Sequence, residues 1–162
     1  DLGTLARDPA ARPAPLTGPG IAVALILTVQ LLLGAWVAGL NAGYVASDWP
    51  MMNDHFVPRG IDWSNGVWFA ITNDPFLLHF LHRWWSWVAA LALLLLARVL
   101  ARRGARVEPA LLLLVVAAQM TLGILTVVSG ISMWIAVLHQ LTGALLVAVT
   151  AAALHRLGRR TA

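Results

Sequence analysis

The sequence predicts an all-α protein, an integral membrane four-helix bundle made of two pseudo-symmetric helical hairpins. Three observations predict it: long apolar runs, scarce charge, and arginines gathered where the runs end. Hydrophobic residues are 60% of the 162 and charged residues only 11%, with a mean hydropathy of +0.80. Soluble domains carry about a quarter charged residues, and no soluble core of this size could hide so much apolar surface. Lipid must be the solvent.

The first twenty residues hold four prolines, three glycines and four charges, the composition of a solvated cytoplasmic linker. Apolar runs follow over Ile21–Leu40, Pro75–Ala97, Pro109–Val128 and Ser132–Leu154. A hydrocarbon core of about 30 Å needs roughly 20 helical residues, so each run is long enough to span. Runs this continuous are helices, because only helices and closed barrels satisfy the backbone in lipid. The division expected is a linker over 1–20, a four-helix domain over 21–157 with an outer cap loop over 41–74, and a cytoplasmic tail over 158–162. A chain opening on Asp1, with no signal-peptide pattern, reads as a segment cut from a longer protein at an inter-helix linker.

Net charge is +4, and all eleven basic residues are arginines. Their positions at the ends of apolar runs are the membrane pattern and exclude a nucleic-acid reading. Arg98, Arg102, Arg103 and Arg106 fill one connection, Arg156, Arg159 and Arg160 follow the last run, and Arg7 and Arg12 precede the first. The segment from Asn41 to Asp74 carries four aspartates against Arg59 alone. The positive-inside rule then places both termini in the cytoplasm (or matrix) and the acidic loop outside, in a bacterial cytoplasmic or mitochondrial inner membrane. Trp49, Trp63, Trp68 and Trp134 fall at the outer boundary, where aromatic anchors collect. Cysteine is absent, which excludes disulfides and thiolate metal sites in this segment.

The first run reads VQLLLGAWVAG and the third AAQMTLGILTVVSG, so Gln30 precedes Gly34 and Gln119 precedes Gly123 by the same four residues. Each leads outward and is followed by an inward-running helix with a histidine near its outer end. His82 and His139 both lie about seven residues into their helices, at a depth of roughly 10 Å. Two imidazoles at matching depth on parallel helices can hold a haem plane between them, with neutral ring nitrogens bound to iron from both sides. The plain alternative is a pair of histidines bonded to neighbouring helices.

Ionisable groups inside a span are costly and mark function by default. Arg83, beside His82, is a candidate partner for a haem propionate; the alternative is an arginine reaching the outer headgroups. Ser86 and Gly143, one turn below His82 and His139, are small enough to leave room for a macrocycle. His79 shares the His82 face nearer the surface. It is a candidate propionate contact or proton shuttle, or simply an interfacial histidine.

The loop continues with Ala42–Gly43, WPMM at 49–52 and Val57–Pro58. An NDP at 73–75 leads into LHFLHR at 78–83, and VLHQ occupies 137–140. Together these resemble the heme A synthase family from about Val29 to Leu157. The resemblance implies two similar four-helix halves, one for a haem O substrate and one for a haem b cofactor. It makes this segment the carboxy-terminal, cofactor half, with His82 and His139 as axial ligands. It implies an oxidoreductase that converts the C8 methyl of haem O to the formyl of haem A for terminal oxidase assembly. Haem b in this half would pass electrons to the substrate site. The partners implied are the amino-terminal substrate half or an equivalent subunit, haem O and haem A, an electron donor and the lipid bilayer.

The family's substrate half carries a glutamate three residues before its first ligand. His79 stands there in this chain, so no catalytic residue is assigned and this half is expected not to perform the oxidation itself. Ala46–Ser47 also departs from a frequent Tyr–Asn pair. The rival readings are an electron-transfer b-type cytochrome subunit and a haem-free assembly or scaffold protein.

Overall fold

A computed structural model describes residues 15–159. Arg7, Arg12, Arg160, most of the expected linker and the end of the tail lie outside the described residues. The chain forms α1 (Gly18–Gly39), a short 3-10 turn (Ala42–Val45), α2 (Val67–Asn73), α3 (Pro75–Arg102), α4 (Val107–Val128) and α5 (Met133–Gly158). Four of these helices, α1, α3, α4 and α5, are long and apolar enough to cross a membrane. Among the described residues there is no β-strand, only an isolated bridge between Met52 and His55. This is an integral membrane helical bundle.

The helix boundaries follow from capping chemistry. Thr17 caps α1, its Oγ1 accepting the Gly20 N–H at 3.2 Å, with Pro19 in the first turn. Gly18–Gly20 therefore belong to the helix rather than to the expected linker, because a capping hydroxyl and an early proline favour initiation. Asp74 does the same for α3, accepting the Leu77 N–H at 2.8 Å ahead of Pro75. α3 runs on to Arg102 rather than Ala97, α4 starts at Val107 rather than Pro109, and α5 ends at Gly158 rather than Leu154. Hydropathy had ended or begun these helices at their charged turns, but charged side chains at a helix end reach water while their backbone stays helical.

Both tight connections use one device. Gly104 N–H bonds Ala101 O at 3.0 Å and Ala105 N–H bonds Leu100 O at 3.1 Å; Gly130 N–H bonds Val127 O at 3.0 Å and Ile131 N–H bonds Thr126 O at 2.9 Å. These are Schellman closures, and Gly104 (φ 83°) and Gly130 (φ 65°) take the left-handed position. Ile131 also has a positive φ of 64°, unfavourable for a β-branched residue. Its side chain packs where Gly43 leaves space: a Cβ on Gly43 would lie 2.9 Å from Ile131 Cδ1. The apex of one hairpin thus locks onto the start of the cap loop.

α1 packs on α3, α4 on α5, and α3 joins the two hairpins through α4. The core sits toward the arginine-rich end. Leu93, Leu96 and Leu100 of α3 meet Leu112 and Val116 of α4, and Leu146, Val149 and Ala153 of α5. That end is also tied by polar contacts. Arg103 Nη1 donates to Leu157 O at 3.0 Å, and Arg156 pairs with Glu108 at 3.9 Å. Toward the opposite end the four long helices and the start of the loop line a cavity.

Candidate functional site

The cavity has a volume of about 590 Å³ and is lined by all four long helices and by the start of the cap, within the range of roughly 300–1,000 Å³ usual for ligand sites. His82 of α3 and His139 of α5 both line it. Each imidazole sits against a glycine of its hairpin partner. A Cβ on Gly34 would lie 3.0 Å from His82 Cε1, and one on Gly123 would lie 3.1 Å from His139 Cε1. Each also faces a glutamine one helical turn from that glycine: Gln30 Nε2 is 3.2 Å from His82 Nδ1, and Gln119 Nε2 is 3.5 Å from His139 Nε2. The two hairpins therefore repeat a Gln–Gly–His unit in three dimensions. The repeat is not perfect, since His82 turns Nδ1 and His139 turns Nε2 toward its glutamine.

Ser86 and Gly143 line the same cavity, but each has a local task. Ser86 Oγ donates to Arg83 O at 2.6 Å. Gly143 makes room for a side chain of α4: a Cβ there would lie 3.3 Å from Gln119 Nε2. The clearance beside the imidazoles comes from Gly34 and Gly123, on the opposing helices. Neither these glycines nor the two glutamines had been singled out as site residues, although their common spacing was the mark of them.

Arg83 does not reach outward to headgroups. Its Nη1 donates to Asp48 O at 2.9 Å and Met51 O at 3.0 Å, its Nη2 to Ala46 O at 3.1 Å, and its Nε to His79 Nε2 at 3.0 Å. Four of five N–H groups are thereby committed, leaving one on Nη2. His79 is 2% exposed, so the interfacial reading of it fails; it lies sealed beneath the cap because its acceptor nitrogen is the partner of Arg83 Nε–H.

The cap folds around this anchor. Asp48 accepts the Asn53 and Asp54 N–H groups at 2.9 and 3.2 Å, and Asn53 Nδ2 donates to Val45 O at 3.0 Å. Partial burial opposes ionisation of Asp48, but those N–H groups and the Arg83 charge outweigh it and hold the carboxyl below its ordinary value of 3.8. Asp74 Oδ2 accepts the Asp62 N–H at 3.0 Å, tying the far side of the loop to the start of α3. The peptide between Trp49 and Pro50 is cis, and Met52 beside it is 1% exposed. Within WPMM, Met52 is thus the buried anchor, while Trp49 and Met51 stay exposed.

Among the described residues no three His, Cys, Asp or Glu side chains gather to hold a metal ion. Two imidazoles suffice for a metal whose remaining ligands come with it, as in a porphyrin. The cavity, the glycine clearances and the histidine pair fit such a group; Gln30 faces Nδ1 of His82 and leaves Nε2 as the nitrogen for a metal, whereas at His139 it is Nε2 that faces Gln119.

The class defined by this fold and site is a polytopic membrane protein with a two-histidine pocket inside a helical bundle. The profile of the family described as cytochrome oxidase assembly protein matches residues 4–151, and the chain belongs to that family. It is 76% identical over its whole length to a heme A synthase of Sphingopyxis alaskensis, of which it covers 46%. It is 54% identical to the heme A synthase of Erythrobacter litoralis over 98% of the chain and 46% of that protein. A third heme A synthase, from Novosphingobium aromaticivorans, is 45% identical over 90% of the chain and 43% of its own length. The chain thus spans about half the length of the curated relatives it matches. No solved structure matches it.

Proposed function

We propose that the chain is the carboxy-terminal, haem b-binding half of a heme A synthase, with His82 and His139 as the axial ligands. The observation that carries the reading is the paired Gln–Gly–His unit, which brings two imidazoles from equivalent helices to one cavity in a chain of this family. Bound there, haem b would supply a one-electron couple to exchange electrons with a substrate site in the other half. That site would oxidise the C8 methyl of haem O to the formyl of haem A.

The residues of this half bind, orient and enclose. His82 and His139 offer neutral ring nitrogens, Gly34 and Gly123 set how close the rings come to α1 and α4, and the core at the arginine end closes the bundle below. Arg83 holds the cap over the pocket and keeps one Nη2–H for an anionic group such as a propionate. The arginine-rich end faces the cytoplasm and the cap the outer side, in keeping with the charge distribution.

Purified protein should give a pyridine haemochrome of the b type and a low-spin spectrum, and His82→Ala or His139→Ala should abolish or disturb it. Wild-type spectra in both variants would overturn the axial assignment.

A further inference from the structure

Gln30 and Gln119 are polar side chains inside membrane spans, and in lipid such groups are retained for a reason. Both have Oε1 buried with no hydrogen-bond partner, while Nε2 faces an imidazole nitrogen. An orphaned amide oxygen in an apolar setting is costly. The same orphan occurs in both hairpins, beside each pocket histidine, and calls for an arrangement in which that oxygen meets a donor.

The chemistry of the imidazole supplies that arrangement. A neutral ring nitrogen that accepts an amide N–H leaves its proton on the opposite nitrogen, which then cannot bind a metal. A ring bound to iron through Nε2 instead carries its proton on Nδ1 and needs an acceptor there. At His82 the group 3.2 Å from Nδ1 is the Gln30 amide. A half-turn of that amide about its last torsion exchanges Nε2 for Oε1 at nearly the same distance.

We propose that Gln30 and Gln119 are positioning residues for the axial histidines: with haem bound, each carboxamide turns its oxygen to the ring N–H and fixes which nitrogen meets the iron. The proposal rests on the haem b reading above. It also assigns the glycines a purpose. Gly34 and Gly123 let the ring approach the glutamine's helix, and Gly143 clears the space beside Gln119. The two sites are unequal. Gln30 already faces Nδ1, whereas His139 must turn before its Nδ1, buried without a partner, can reach Gln119. Gln30 should therefore exert the larger effect.

An accepted N–H makes the imidazole more basic and favours ferric over ferrous iron. The test is redox potentiometry and low-temperature EPR of the haem-loaded protein in detergent, on wild type, Gln30→Met, Gln30→Glu and His82→Ala. Gln30→Met, similar in size but without an acceptor, should lose ferric preference by about tenfold. That is an upward shift of about 59 mV for a one-electron couple, with altered low-spin g values. Gln30→Glu, which keeps an acceptor, should stay at or below the wild-type potential. A Gln30→Met protein with wild-type potential and EPR overturns the glutamine proposal while leaving the haem assignment standing. Equal shifts in the Met and Glu variants overturn it too, since packing alone would explain them. If Gln30→Met binds no haem, Gln30→Glu must restore binding, and a haem-free Glu variant counts against the proposal. A bis-histidine signal surviving in His82→Ala would instead overturn the haem b reading at His82.

Discussion

Gly34 and His82 meet so closely that a methyl group on Gly34 would lie 3.0 Å from the imidazole Cε1. Gly123 and His139 repeat the contact at 3.1 Å. Gly34→Ala and Gly123→Ala should each push a ring from its place rather than unfold a span, because overpacking of this kind costs about 1–3 kcal/mol while alanine favours the helix. The expected outcome is a folded protein with reduced haem content or a shifted low-spin spectrum. Gly39→Ala is the control, since nothing lies within 4 Å of a Cβ there. Unchanged spectra in both cavity variants would mean that the rings do not depend on these clearances.

Arg83 ties the cap to α3 through the carbonyl groups of Ala46, Asp48 and Met51. Arg83→Ala should free these carbonyls and leave His79 without its donor. Hydrogen bonds to charged groups contribute about 1.5–3 kcal/mol each, so local opening of the cap should become far more frequent. Hydrogen exchange should then rise across 42–56 and stay unchanged in α4 and α5. Arg83→Lys should rescue only in part, because an ammonium cannot reproduce the planar fork that reaches several acceptors at once.

The two preceding sites show which parts of the molecule were legible in the sequence. The spans were, because runs of apolar residues have one solution in lipid, and the matching depth of His82 and His139 followed from counting helical turns. The glutamines were visible as a repeat but not as imidazole partners: Gln30 and His82 are 52 residues apart, and spacing within one helix does not say which ring of another it meets. The Arg83 clamp was illegible for another reason. Its acceptors are backbone carbonyls, which carry no side-chain identity and are brought together only by the fold of the loop. Arg83 itself was read as a partner for headgroups or a propionate because a buried cation draws attention to anions before it draws attention to carbonyls.

Asp48 gives the cap a dependence on acid. Its carboxyl sits below the ordinary value of 3.8 because backbone N–H groups of Asn53 and Asp54 and the charge of Arg83 favour the ionised form over the opposing effect of burial. A depressed folded-state value means stabilisation that is present above 3.8 and is lost as pH falls through the lower, folded value. Limited proteolysis of the 46–56 segment should accelerate only on strong acidification. In Asp48→Asn, which keeps one acceptor oxygen and loses the charge, cleavage should be faster at neutral pH and nearly independent of acid. A wild-type cleavage rate in that variant would show that the carboxylate does not hold the loop.

Arg98, Arg102, Arg103 and Arg106 lie at the bundle end where Arg103 bonds Leu157 O. Reporter fusions after Arg103 and at Ala162 should therefore read as cytoplasmic, and one at Asp54 as external. An external signal from the Arg103 fusion would invert the proposed orientation.

The cavity also bears on which half would perform the proposed oxidation. When a methyl group is oxidised, a carboxylate can take up protons or stand beside a developing positive centre. Among the described residues no carboxylate lines the cavity, whose ionisable members are Tyr44, His79, His82, Arg83 and His139. The nearest acids are already engaged: Asp48 accepts two backbone N–H groups of the cap, and Asp74 caps α3 and holds Asp62. His79 accepts from Arg83 Nε and so has no free basic nitrogen on that side. Residues 1–162, expressed in a host that accumulates haem O, should bind haem and yield no haem A when extracted haems are separated by chromatography. In the two-half protein, His79→Gln should keep most of the activity, because its Oε1 can accept the same Arg83 N–H, whereas His79→Leu should loosen the cap as Arg83→Ala does. Haem A produced by residues 1–162 without a partner half would make this pocket the catalytic one, and a total loss of activity in His79→Gln would make His79 more than a support for Arg83.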